Sequence, residues 1–173
     1  MQEALKKQIK NKNIKVLEIG VGSGIQLKTL KQLEIKNISG VDINSEAVKY
    51  CKQQGFNCIQ SDLFEKIKGK FNLIIFNPPY LPEDKREPKK SQLATTGGKK
   101  GSEIINKFLK QAKKHLEKEG KIFLLVSNLT KNINFKGYNK KIISQKKVFF
   151  EELILFSLHP LHDMDKPLRN KNI

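Results

Sequence analysis

"IKVLEIGVGSGIQLKTLKQLE" (14–34) decides the architecture of this chain. Its first seven residues are an apolar run that ends in glycine, which reads as a strand buried on both faces. Its second half carries Ile25, Leu27, Leu30 and Leu33 at helical spacing. Between them lie Gly20, Gly22 and Gly24. Glycine lets a turn bend tightly and lets a ligand approach the backbone. A dinucleotide turn wants G-x-G-x-x-G; here the spacing is G-x-G-x-G, and Ile25 stands where a third glycine would be required. That argues against NAD and for another nucleoside cofactor. A glycine turn made for packing alone is the competing reading.

The same alternation continues outward. "NISGVDI" (37–43) is a second strand, and "SEAVKYCKQQG" (45–55) a helix with Ser45 as N-cap and Gly55 as stop. "FNCIQSD" (56–62) and "FNLIIFN" (71–77) are the third and fourth strands. "GSEIINKFLKQAKKHLEKEG" (101–120) reads as one long amphipathic helix, and "KIFLLVSN" (121–128) as the fifth strand. "GYNKKIISQKK" (137–147) and "VFFEELILFSLH" (148–159) follow as two strands with no helix between them. Strands alternating with helices build a parallel sheet covered on both faces. The final pair breaks the rhythm and predicts an antiparallel hairpin near one edge. The expected fold class is α/β: a doubly wound, mostly parallel, seven-stranded sheet with an antiparallel C-terminal strand hairpin. One domain covers 1–158, and 159–173 is a polar tail.

Composition narrows the function classes. At 173 residues, with 38% hydrophobic and 29% charged, the chain suits one folded domain. It has no apolar run of the roughly 20 residues a membrane helix needs. The opening "MQEALKKQIKNKN" has no apolar signal core, which predicts an intracellular, cytoplasmic protein. Cys51 and Cys58 alone make neither a disulfide framework nor a zinc site. The net charge of +17 points to nucleic acid or an acidic partner, but Arg86 and Arg169 are its only arginines. Arginine is the favoured residue for bidentate phosphate and base contacts. The lysine excess therefore reads first as compositional bias and solvation, and second as a polyanion-facing surface.

Acids end two of the strands. Asp42 closes the second, 22 residues after Gly20, where an acid accepts hydrogen bonds from ribose hydroxyls in doubly wound folds. Asp62 follows the third and can accept from an adenine amino group. Each also reads as a plain turn residue. The fourth strand ends in Asn77-Pro78-Pro79-Tyr80. Pro-Pro stops a strand by itself, yet the amide and the aromatic ring are not needed for a stop.

In this order and separation, the glycine turn and Asn77–Tyr80 resemble class I S-adenosylmethionine-dependent methyltransferases, and the N-P-P-Y motif resembles those acting on amines and amides. "ATTGGKKGSEIINKFL" (94–109) and "SQKKVFFEELILFSL" (144–158) are similar to the HemK/PrmC-related protein glutamine methyltransferases, in their archaeal and eukaryotic release-factor branch. The resemblance covers roughly residues 14–158. It implies a Rossmann-like fold and N5-methylation of the glutamine in the Gly-Gly-Gln loop of a class I release factor. It implies S-adenosylmethionine held by Glu18, Gly20, Gly22, Gly24, Asp42, Ile43, Asp62, Leu63 and Asn77. It implies catalysis by Asn77, Pro78, Pro79 and Tyr80, and no metal. The Asn77 side-chain oxygen and the Pro78 carbonyl would accept the two N–H groups of the target amide. Tyr80 would cover its flat face, and the Thr95-to-Gly101 loop would close beside it. An N-methyltransferase acting on an exocyclic amine of adenine or guanine in RNA or DNA is the alternative, since it shares N-P-P-Y.

Related enzymes carry a Y-x-P-x-E-D-S/T segment before the first strand; here a helix, "MQEALKKQIK", stands there. The helix after the fifth strand shrinks to "LTKNINFK". The third strand carries neither Lys nor Pro, although it belongs at a sheet edge that usually needs such protection. Relatives bind a small zinc-binding activator subunit there, so the resemblance implies such a partner on residues 55–62 by strand addition. "HPLHDMD" gathers His159, His162, Asp163 and Asp165, a grouping more typical of a solvated tail than of a metal site.

Overall fold

The computed structural model describes residues 1–81 and 96–161. The elements run α1 (Gln2–Gln8), β1 (Lys15–Ile19), α2 (Ile25–Gln32), β2 (Asn37–Asp42), α3 (Ser45–Gln53), β3 (Asn57–Gln60), β4 (Phe71–Phe76), α4 (Glu103–Ala112), β5 (Leu116–Ser127), β6 (Tyr138–Val148) and β7 (Glu151–Pro160). They form one seven-stranded sheet in the order β3-β2-β1-β4-β5-β7-β6. The first five strands are parallel, and β7 runs antiparallel to both β5 and β6. This is the expected sheet, with β3 at one edge. The chain winds outward from β1 through β2 to β3, then restarts at β4 on the other side of β1. That reversal opens a crevice at the carboxyl ends of β1 and β4, where doubly wound folds take ligands. No helix among the described residues is long and apolar enough to cross a membrane.

Side-chain alternation divides the core. Leu17, Ile74, Phe76, Ile122 and Leu124 turn to the face covered by α4, through Ile105, Phe108 and Leu109. Val16, Leu73, Ile75 and Phe123 turn to the opposite face, under Leu5 of α1 and Leu30 of α2. Both faces being covered is why β1 and β4 read as continuous apolar runs. A third cluster, with Val21, Leu27, Val48, Cys51 and Cys58, locks α2 and α3 beside the glycine turn. The cysteines are free and buried, and burial pushes the Cys58 thiol up to about 12.

Four local expectations are corrected. Asn44, not Ser45, caps α3, its side chain accepting from the Glu46 N–H; Asn leads at that position because its short amide reaches the second free N–H. Gly55 does end the helix, at φ +81°, with the Phe56 N–H bonded to the Cys51 carbonyl. The long helix stops at Ala112, passes through one 3-10 turn at Lys113–His115, and Leu116 already pairs with Phe71 of β4. Leu116 kept the apolar spacing of the helix, so periodicity could not separate the two states. Phe149 and Phe150 lie in the turn between β6 and β7, not in a strand. Finally, β7 runs to Pro160, one residue past the expected end at 159: His159 pairs with Asn139 and Pro160 with Tyr138. His162, Asp163, Asp165 and the rest of the tail lie outside the described residues, as do Pro82–Thr95.

The shortened connection after β5 is held without a helix. The Asn106 side chain donates to the Asn132 carbonyl and accepts from the Asn134 N–H. The Tyr138 hydroxyl donates to the Leu109 carbonyl at 2.8 Å. Phe135 packs on Phe156, with 5.2 Å between ring centroids. Polar ties and one aromatic pair thus cover the ground a helix would otherwise take.

Candidate active site

The glycine turn is built by its backbone. Gly20 and Val21 donate to the Val41 carbonyl at 2.8 and 3.1 Å, and Gly24 donates to the Val21 carbonyl at 2.7 Å. Gly20, Gly22 and Gly24 all have positive φ, at 69°, 46° and 70°. A side chain in that region is strained, which is why this turn needs glycine. At Gly22 a Cβ would meet nothing within 4 Å. The turn's outer face is therefore open to a ligand.

Asp42 stands over this turn at the end of β2. Its carboxylate accepts from the Gly22 N–H and from the Asn44 N–H, both at 2.9 Å. Asp42 thus braces the turn while lining the cleft, and each oxygen keeps a further lone pair.

Glu18, on β1 beneath the glycines, is only 2% exposed. Burial pushes its carboxyl well above the usual range, the backbone N–H of Leu27 opposes that, and the nearby charge of Asp42 adds to it. One carboxyl oxygen, Oε2, has no hydrogen-bond partner, and neither has Oε1 of Gln26, which is also buried. Both side chains line the same cleft. A buried acceptor without a donor is costly, and a cationic or amine-bearing ligand in the cleft would satisfy both.

The cleft has a volume of about 980 Å3, large enough for a nucleoside cofactor and a substrate side chain together. Nine expected residues line it: Glu18, Gly20, Gly22, Asp42, Ile43, Asp62, Leu63, Asn77 and Pro79. Gly24 does not; it supports the turn from beneath, where a Cβ would lie 3.0 Å from the Cys51 sulfur. Ile43 is 53% exposed in the wall, and Leu63, at φ +48°, sits in a turn pinned by the Ser61 hydroxyl, which donates to the Leu63 carbonyl and accepts from the Lys66 N–H. These apolar side chains offer a slot for a flat ring. Asp62 at its end is ion-paired to Lys107 at 2.5 Å, and the pairing raises the lysine's pKa.

Asn77 emerges exposed from β4, with Pro78 buried behind it and Pro79 and Tyr80 half-buried. Pro78 and Tyr80 do not line the cleft; Tyr80 packs against the α4-side core. The Thr130 hydroxyl donates to the Tyr80 carbonyl at 2.9 Å. Burial, and then the charge of Glu151, raise the Tyr80 pKa, so its hydroxyl stays protonated at neutral pH.

Thr96 and Leu81 form a parallel bridge, and the Gly97 N–H donates to the Leu81 carbonyl at 2.9 Å. A Cβ on Gly97 would lie 2.6 Å from the Pro79 carbonyl and 2.2 Å from that of Gly101. Only glycine allows this strip to lie against Pro79–Leu81. Thr96, Gly97 and Gly98 thereby close one wall of the cleft; Thr95 lies outside the described residues.

Sequence reasoning missed Gln26, Ile104, Lys107 and Thr130. Gln26 sits on the first turn of α2, directly after the glycines, and that position was a readable signal. Lys107 is one of many lysines and lies 45 residues from Asp62, so no local pattern marks it.

The profile of the family described as "Methyltransferase small domain" matches residues 2–148. A provisionally named protein N5-glutamine methyltransferase of Methanocaldococcus jannaschii is 38% identical over 167 residues, covering 88% of this chain and 85% of the relative. The release factor glutamine methyltransferase of Lactococcus lactis is 33% identical over 129 residues, 65% of this chain and 47% of that one. The chain thus spans about half the length of that bacterial relative. Among solved structures, the E. cuniculi Mtq2–Trm112 complex, described as responsible for methylating the termination factor eRF1, superposes with a TM-score of 0.72 at 24% identity, over 92% of each chain. A methyltransferase from Bacteroides fragilis in complex with S-adenosyl-L-homocysteine gives a TM-score of 0.58 at 18% identity, over 92% of this chain and 81% of that one. At these identities the two structural likenesses speak for the fold.

Proposed function

The chain belongs to the methyltransferase small domain family, and from that premise we propose that it methylates the side-chain amide nitrogen of the glutamine in the Gly-Gly-Gln loop of a class I release factor. The observation that carries this reading is the placement of Asn77 at the mouth of a cleft whose floor holds the unpartnered oxygens of Glu18 and Gln26. The 38% identity to a protein N5-glutamine methyltransferase supports the substrate class.

The cofactor of this family is S-adenosylmethionine, which supplies an electrophilic methyl group on a sulfonium. The residues present fit it. Glu18 and Gln26 would receive its ammonium, the open face of Gly22 its backbone approach, and Asp42 its ribose hydroxyls. Ile43 and Leu63 would flank the adenine, with Asp62 at its amino edge.

The chain's own contribution to the chemistry is positioning. An amide nitrogen is a poor nucleophile because its lone pair is delocalised into the carbonyl. Accepting its two N–H groups on the Asn77 oxygen and the Pro78 carbonyl directs the lone pair into the cleft. These contacts strengthen as positive charge develops on nitrogen, so they favour the transition state over the bound substrate. Pro78 and Pro79 hold the carbonyl rigid. Tyr80 packs against the α4-side core with its carbonyl held by Thr130, which steadies the segment that carries Asn77. No strong base is needed beforehand, because the nitrogen becomes acidic as it is alkylated.

The β3 edge supports a partner. Among the described residues, Asn57–Gln60 pairs on one side only, with β2, and it carries no charged side chain. A small zinc-binding activator adding a strand along residues 55–62 would complete the ladder. Translation places enzyme and substrate in the cytoplasm. The deciding experiment is methyl transfer to release factor, with and without the activator, with mass-spectrometric mapping of the product. Incorporation at the Gly-Gly-Gln glutamine supports the reading. The net charge of +17 keeps RNA or DNA amines as a second reading, and methylation of nucleic acid with none on the factor would establish it instead.

A further inference from the structure

We propose that the tip of the β6–β7 hairpin, Phe149–Phe150 with Lys146 and Lys147 behind it, is the docking element for the folded body of the protein substrate, inserting into an apolar pocket rimmed by acidic side chains. The assignment rests on the release-factor reading above and adds to it how the intact factor, rather than its glutamine alone, is recognised.

Phe149 is 99% exposed and Phe150 83%. Phe149 sits at φ +52°, where a hairpin turn normally carries Gly, Asn or Asp. The hairpin does not need these rings. Its ladder runs from Tyr138 opposite Pro160 to Val148 opposite Glu151, and that pairing sets the register. Two adjacent aromatic rings in water favour association and oppose solubility, and aromatic side chains are the typical anchors of protein interfaces.

The tip is placed for this use. β5 pairs Ser127 with Leu153 of β7, so the hairpin projects beyond the carboxyl edge of the sheet, the edge at which Phe76 gives way to Asn77. Its base is fastened there: Asn128 donates its N–H to the Glu152 carbonyl and accepts the Glu152 N–H on its side chain, both at 2.9 Å. Thr130, in the segment leading from that fastening, holds the Tyr80 carbonyl. A substrate gripped at Asn77–Tyr80 therefore meets the tip on the same side of the molecule.

The charge around the tip selects the partner. β6 carries Lys140, Lys141, Lys146 and Lys147, all exposed, and no acid from Tyr138 to Val148. The acids that follow are drawn inward: Oε2 of Glu151 is buried, and Glu152 is half-buried. The tip thus presents apolar rings on a positive ground, which disfavours a second copy of this chain and fits an acidic surface.

The test compares the wild-type chain, with its activator where it forms, with F149N/F150S and F149Y/F150Y. Asn tolerates the left-handed backbone, so the first variant keeps the turn. For intact release factor, F149N/F150S should raise KM by about tenfold or more, the loss expected on removing an aromatic anchor. It should leave kcat at saturation and cofactor affinity unchanged, and the tyrosine variant should restore KM. K146Q/K147Q should raise KM and flatten its dependence on salt. An unchanged KM in F149N/F150S overturns the proposal. So does a fall in kcat or cofactor affinity, which would assign the rings to folding or catalysis. So does binding to anionic vesicles that vanishes in that variant while KM stays put. A wild-type chain that binds S-adenosylmethionine yet transfers nothing to release factor refutes the functional reading itself, and the docking assignment with it.

Discussion

Replacing Glu18 with Gln should stabilise the free protein and weaken its cofactor. Glu18 is 2% exposed with Oε2 unpartnered, and its folded pKa lies well above the reference 4.5 because burial disfavours the carboxylate. The folded state therefore binds a proton that the unfolded state releases. The stability that Glu18 contributes is fully present below about pH 4.5, is lost as pH rises toward the folded pKa, and levels off beyond it. Each unit of that window costs about 1.4 kcal/mol. E18Q lacks the titration and keeps an oxygen for the Leu27 N–H. Its stability should match wild type within about 1 kcal/mol at low pH. Toward neutral pH it should exceed wild type in stability, and its Tm should rise with it. Cofactor binding should move the other way, because a charge-assisted hydrogen bond to the ligand ammonium contributes about 1.5–3 kcal/mol, or roughly 10–100-fold in Kd. Thermal melts across pH and titration calorimetry with S-adenosylmethionine read both. A variant that is less stable at neutral pH, or that binds cofactor as well as wild type, refutes the reasoning.

N77A should reduce methyl transfer by about 100-fold or more while shifting stability by less than about 0.5 kcal/mol, since Asn77 is exposed; equal turnover would exclude it from the amide grip. G97A places a Cβ 2.2 Å from the Gly101 carbonyl and 2.6 Å from that of Pro79. The strip must move off the Asn77–Tyr80 segment, costing about 1–3 kcal/mol in denaturant melts and lowering turnover. F108A removes a fully buried ring that stacks on Phe64 and packs tilted against Phe76; chemical denaturation should show a loss of about 3–5 kcal/mol.

Some residues carried their meaning locally. The glycine turn was readable because its positive φ values are a property of three alternate positions, 20, 22 and 24. Asp42 was readable because a strand end fixes where a side chain stands. The antiparallel pair was readable because two strand patterns met with no helix between them. The shortened α4 was not, since Leu116 continued the helical spacing of Phe108, Leu109 and Ala112, and only its pairing with Phe71 shows it to be strand. The rings at 149 and 150 were not either, because apolar residues beside a strand pattern read as part of the strand until the register with β7 is known.

The sequence alone determined the sheet, its edge strand and nine residues of the cleft lining, because hydrophobic period and turn chemistry act over a few residues. Tertiary structure alone decided which groups meet across long separations. It paired Lys107 with Asp62, laid Gly97 against Pro79, tied Thr130 to Tyr80, and left Oε2 of Glu18 buried without a donor. It also set two exposed aromatic rings at the tip of the β6–β7 hairpin, beyond the Ser127–Leu153 pair. Those relations arise when separate strands and helices are packed on one sheet, and it is there that a turn, a strand end and a loop become one site.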